Sequence, residues 1–221
     1  DMYAGRNGFA APPEPSRYSA DFVAAYRAAQ AERIARIDAR ALAAADEVAR
    51  ARARFSRSKD PADRRAALAP HILTTYRTDA DPAYVDPTIE PNDRHYGSLF
   101  GHRPDLINYG LVGFGRLTTP DSWLSTWSAN HTRADFVRCA PGVTVPTLYL
   151  EFSGDQAARP AAGARMVAAL GAADLTHHVV RGQHFGQPVA EGEPTGYAAA
   201  AVHVDHWLAE RFGTQARHVT R

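Results

Sequence analysis

The stretch "TVPTLYLEFSGDQAARP", Thr144–Pro160, decides how the chain is read. A continuous apolar run, "VPTLYLEF", passes straight into Ser-Gly-Asp. A short uninterrupted run of this kind, rich in branched and aromatic residues, predicts a strand buried on both faces. Pro160 then opens a helix over "PAAGARMVAALG", with Gly171 just beyond its end, the usual asymmetry of helix punctuation. "THHVVRG" predicts a second, shorter strand, and "GYAAAAVHVDHWLAERFG" a final helix stopped by Gly213. Strand, helix, strand, helix is the grammar of a parallel α/β sheet.

Upstream the pattern differs. Residues 1–18 are rich in Gly, Pro and Ala and predict a lead-in linker. Ser19 is a candidate N-cap for a long helix whose apolar residues (Phe22, Val23, Tyr26, Ile34, Ile37, Leu42, Val48) fall near helical spacing. Its arginines are interleaved with Glu32, Asp38, Asp46 and Glu47, which reads as a solvated helix face rather than a nucleic-acid stripe. "DPADRRAALAPHILTTYRT", residues 60–78, predicts a second helix. Residues 79–105, rich in Pro, predict a long irregular connection of the kind that often carries function. "TTPDSWLSTWSANHTRADF" predicts a short helix with Pro120 in its first turn and Trp123 and Trp127 on one face. The domain organisation expected is a linker over 1–18, a helical region over 19–140 and a βαβα region over 141–221.

Composition narrows the class. The chain has 221 residues and a formal net charge of +1, so no broad positive field draws it to nucleic acid. Cys139 is the one cysteine and reads as a small buried apolar residue. No apolar run approaches the ~18 residues of a membrane span and no signal peptide is visible, so a soluble protein, cytoplasmic or secreted, is expected. The first residue is Asp1 and not methionine, which leaves room for an upstream segment.

Two parallel strands do not make a stable sheet by themselves. The sequence between residues 20 and 140 offers no further convincing strand. The remaining strands are therefore expected on another polypeptide segment.

Reactive groups of a parallel sheet gather beyond the carboxyl ends of its strands. Asp155 follows the first strand and His184, in "RGQHFGQP", follows the second. A carboxylate beside an imidazole fixes its tautomer and stabilises the imidazolium formed when the ring takes a proton. Other histidines read differently. His177 and His178 lie within the strand, one on each face. His203 and His206 sit on the final helix without convergent ligands, so no metal is expected. His131 follows the tryptophan helix.

With these residues in place, "LEFSGDQAARP" and "VVRGQHFG" resemble the C-terminal strands and Gly-x-His loop of the α/β-hydrolase family. "EPNDR" (Glu90–Arg94) and "SWLSTWSANHTRADF" resemble the large helical cap of a bacterial group within it. The resemblance implies an α/β-hydrolase fold of which this chain is the C-terminal portion with its cap. It implies Asp155 as triad acid and His184 as triad base, Trp123, Trp127 and His131 as residues lining the substrate site, and no cofactor. The family's nucleophile turn, G-x-S-x-G, is absent from the sequence. Ser98 in "YGSLFG" has glycines at the wrong offsets, and Ser153 in "FSGD" follows no strand-to-helix elbow. A serine nucleophile and the earlier strands are therefore expected on a complementary N-terminal segment. The activity implied is hydrolysis of an ester or related acyl bond of a small molecule. An aspartate nucleophile, as in dehalogenases and epoxide hydrolases, and a non-catalytic helical binding module are the rival expectations.

Overall fold

The computed structural model describes residues 1–58, 60–69, 71–75, 80–99, 101, 104 and 117–213. Two units are built from interleaved segments. The first takes Asp1–Phe9, Tyr18–Asp81 and Arg103–Asp135, and the second Ala10–Arg17, Pro82–His102 and Phe136–Arg221.

In the first unit, helix α1 spans Ala20–Ser58. Ser19 starts it: its Oγ accepts the Phe22 N–H at 3.1 Å, satisfying one of the orphan donors of the first turn. Ile34, Ile37 and Ala41 fall on one stripe of this helix and pack with Leu73, Trp123 and Leu124 into a small core. Several of the charged residues outside that stripe are paired along or beside the helix, as Arg36 is with Glu32, Arg50 with Asp46 and Arg27 with Asp81. Asp38 departs from the expected solvated face. It is 3 % exposed and turned inward.

Helix α2, Pro61–Leu68, is capped by Asp60, whose carboxylate accepts the Ala62 N–H at 2.6 Å. It is shorter than the helix expected over residues 60–78. Ala69 is already extended (φ −65°, ψ 130°), because Pro70 follows it and a proline ring crowds a helical conformation at the preceding residue. Leu73–Thr74 (β1) then pairs antiparallel with Leu117–Thr118 (β2), a two-residue ladder the sequence does not announce. Thr119 caps the next segment through Ser122 N–H, and Pro120 occupies its first turn. Over Trp123–Trp127 the helix widens to a π turn, closed by Ser128 N–H on Trp123 O at 3.0 Å.

The second unit holds the α/β layers. Strand β3 (Thr147–Gly154) and strand β4 (Leu175–Gln183) are parallel, with Tyr149 opposite His177 and Phe152 opposite Val180. Helix α3 (Pro160–Ala169) connects them and packs on one face. A Cβ on Gly163 would lie 2.0 Å from Glu151 Oε2, so a larger residue there would make that carboxylate shift from beneath the helix. Helix α4 (Gly196–Phe212), capped by Thr195, covers the other face. There the Phe152 ring meets Tyr197 edge-on at 5.8 Å and His178 stacks on His203 at 4.2 Å.

The strand–helix–strand–helix order thus stands, with mixed α/β architecture and small sheets. The burial differs from expectation. β3 is half-buried over most of its length rather than buried on both faces. Among the described residues its sheet has two strands, so helices cover the faces while the outer edges stay open. Cys139 ends the one-turn helix Phe136–Cys139 and is exposed, contrary to the burial its small apolar side chain suggests. Among the described residues, no helix is long and apolar enough to cross a membrane.

Candidate active site

Asp155 lies one residue past the end of β3 and is 9 % exposed. Its Oδ1 accepts the N–H groups of Ala157 (2.6 Å) and Ala158 (3.0 Å), a turn in which the acid holds its own following loop. His184 lies one residue past the end of β4. Its Nδ1 stands 3.0 Å from both Asp155 Oδ1 and Oδ2. The pair anticipated from the two strand ends is therefore assembled.

An irregularity in the sheet brings the two level. Phe152 opposes Val180, but two residues later Gly154 opposes Gln183, so β4 carries one extra residue. With regular pairing Gly154 would face Gly182, and Gln183 rather than His184 would stand level with Asp155. Such a bulge commonly re-aims a side chain beside a functional site. Nothing in "VVRGQHFG" announces it.

The loop after β4 is held tightly. Gly186 N–H donates to Gln183 O at 2.8 Å, and Gln183 N–H to Gln187 O at 2.9 Å. Gly186 has φ 75°, and a Cβ there would lie 2.3 Å from the Tyr197 ring. Both the left-handed conformation and the close approach demand glycine. Gly186→Ala is expected to destabilise the protein by about 1–3 kcal/mol and to weaken the His184–Asp155 contact. Urea unfolding, with the His184 ring followed by NMR, checks both effects.

The acid's other supports come from "EPNDR". Asn92 Nδ2 donates to Asp155 O at 2.9 Å. Asp93 N–H donates to Ser153 O at 3.0 Å, and Ser153 Oγ donates back to Asp93 Oδ2 at 2.6 Å. Arg94 is buried and donates to the carbonyls of Glu90 (2.6 Å), Ile89 (2.7 Å) and Ala83 (3.0 Å), and to Asn92 Oδ1 (2.6 Å). A buried guanidinium among carbonyl oxygens ties an otherwise irregular loop into one body. Arg181 of β4 also binds Asp93, and Glu193 beyond it. The loop is thereby fastened to both strand ends. In the sequence this motif stands out only as part of a resemblance. The signal it carries is three adjacent side chains, each able to bond a backbone group.

His184 lines a cavity of about 220 Å3 with Tyr96, Ser98, Gln156, Gln183 and Phe185 among its other walls. Ser98 thus shares the cavity of the histidine. It sits in a tight turn between Gly97 and Gly101, both at positive φ, with its Oγ donating to Gly101 O at 3.2 Å. A second imidazole–carboxylate pair, His177 Nε2 to Glu151 Oε1 at 3.0 Å, borders a cavity of about 280 Å3. That pair belongs to the middle of the strands and lies under α3, not at their carboxyl ends.

The residues expected to line the substrate site belong to the first unit. Trp123 is 4 % exposed, packs in that unit's core and donates its Nε1–H to Asp38 Oδ1 at 2.7 Å. Trp127, at 37 %, and His131 are exposed. Asp38 also accepts from Ser128 Oγ (2.9 Å) and Asn130 Nδ2 (3.0 Å). Burial acts to raise its pKa, but the hydrogen bonds from Trp123, Asn130 and Ser128, with the nearby His131 charge, hold it below the ordinary carboxylate value.

Among the described residues, no group of three or more His, Cys, Asp or Glu side chains is arranged to hold a metal ion. His206 is paired with Glu210 on the surface of α4. The chain matches no family model, no curated protein and no solved structure.

Proposed function

We propose that this chain is the C-terminal, cap-bearing part of an α/β-hydrolase that cleaves an ester or related acyl bond. The observation that carries the reading is the His184 Nδ1 contact with both oxygens of Asp155 at adjacent parallel strand ends. With Nδ1–H donated to the acid, the neutral ring presents Nε2 as an acceptor. Among the described residues, nothing hydrogen-bonds to Nε2.

The chemistry follows from that tautomer. A serine hydroxyl from a complementary N-terminal segment attacks the substrate carbonyl, and its proton passes to His184 Nε2. Asp155 orients the ring and stabilises the imidazolium. The tetrahedral intermediate collapses, the C–O bond to the leaving group breaks, and Nε2 hands its proton to the departing oxygen. Water then repeats the sequence on the acyl-enzyme, releasing acid and serine. The same N-terminal segment supplies further strands to the open sheet.

Treating the natural full-length protein with a fluorophosphonate and mapping the adduct tests this. Label on a serine outside residues 1–221 is expected. No label anywhere, with oxygen-18 from water entering an aspartate during turnover, would move the chemistry to an aspartate nucleophile. No label and no turnover would remove the hydrolase proposal.

A further inference from the structure

The cavity beside His184 is polar but carries no acid, lysine or arginine among its described lining residues. Two of its glutamines have a fixed orientation. Gln183 Nε2 donates to Pro188 O at 2.7 Å, and Gln156 Nε2 donates to His95 O at 3.4 Å. A backbone carbonyl can only accept, so the amide end facing it is the nitrogen in each case. The end that remains is Oε1, an acceptor. Among the described residues nothing donates to either Oε1, and neither oxygen is a fully buried orphan. His184 Nε2 adds a third acceptor when the ring is neutral. The residues walling one cavity therefore carry acceptors at three points, a set that a ligand bearing several hydrogen-bond donors satisfies.

We infer that the leaving group of the substrate is an uncharged alcohol bearing further hydroxyl donors, a polyol rather than a simple alkyl alcohol, read by Gln156 and Gln183. The inference rests on the hydrolase proposal, because it is there that His184 delivers a proton to the leaving oxygen. In that chemistry, the residues that share the cavity of His184 are assigned to the leaving side of the scissile bond. An alkyl leaving group would leave both glutamine oxygens without partners in a partly desolvated site, the situation in which a hydrogen-bonding pocket rejects the analogue that lacks the donor.

Glyceryl acetate and propyl acetate share an acyl group and a three-carbon alcohol and differ only in two hydroxyls. The natural full-length protein is expected to hydrolyse glyceryl acetate with a kcat/KM at least about tenfold higher. In Gln156→Met and in Gln183→Met, which keep side-chain length and remove the acceptor, that ratio is expected to fall toward one, chiefly through a higher KM for the glyceryl ester. A ratio near one in the unaltered protein, or an unchanged ratio in both folded variants, would overturn the inference while leaving the hydrolase intact. If neither ester is turned over, the hydrolase proposal fails separately. Ligand-observed NMR on the His184→Ala protein then decides the pocket's preference. Tighter binding of glyceryl acetate than of propyl acetate upholds it, and equal binding overturns it.

Discussion

Replacing His184 by alanine in the natural full-length protein is expected to lower kcat on an activated acyl ester by about 10⁴-fold or more, with little change in thermal stability. The size follows from the role proposed for the ring. Without it the nucleophile keeps its proton at neutral pH, and the leaving group departs without one. Asp155→Asn is expected to cost about 10³–10⁴-fold, because an amide facing Nδ1 favours the wrong tautomer. Asp155 also accepts from Ala157 and Ala158 N–H. An amide in its place has a single oxygen to serve both the loop and the ring, so some loss of stability accompanies this second variant. Combining the two substitutions is expected to cost little more than His184→Ala alone, since the acid acts through the histidine. Steady-state kinetics with melting curves for all three variants separates loss of chemistry from loss of fold.

The largest expected effect on stability is at Asp38. Its carboxylate is 3 % exposed and satisfies Trp123, Ser128 and Asn130 together. Asp38→Ala strands the buried donors of Trp123 and Ser128, while the exposed Asn130 turns to water. Each buried donor left unsatisfied costs about 1–3 kcal/mol, so a loss of about 3–5 kcal/mol is expected after partial relaxation. That is a large fraction of the ~5–15 kcal/mol by which domains are stable. The same carboxyl gives a pH signature. Because its folded pKa lies below the ordinary value, its contribution is complete above the unfolded pKa of about 3.9 and is lost as pH falls through the folded value. Acid unfolding monitored by circular dichroism checks this. Stability of the natural protein falls over that window, and Asp38→Asn flattens that part of the curve.

How far the sequence reveals this molecule varies with the kind of interaction. β3, α3, β4 and α4 are legible because apolar runs, Pro160, Gly171 and Gly213 act locally. Asp155 and His184 are legible because a strand end is a definite place in an α/β layer. The extra residue in β4 is not, since a bulge is a property of two strands in register and neither alone encodes it. Asp38 reads as solvated because its three partners lie 85 or more residues away in the chain. On α1 it has the same kind of neighbours in sequence as acids that do face water. The early end of α2 is readable in principle from Pro70 but is masked by the helical look of "RRAALA". The roles of Asn92, Asp93 and Arg94 depend on which loop meets which strand end, which only the fold decides.

The most direct measurement is the second-order rate constant for inactivation by a fluorophosphonate, compared between the natural full-length protein and His184→Ala with matched melting temperatures. If His184, oriented by Asp155, activates the nucleophile, the constant falls by about 10³-fold or more in the variant. Equal rate constants in the two folded proteins, or an adduct on Ser98 that forms without His184, would contradict that role.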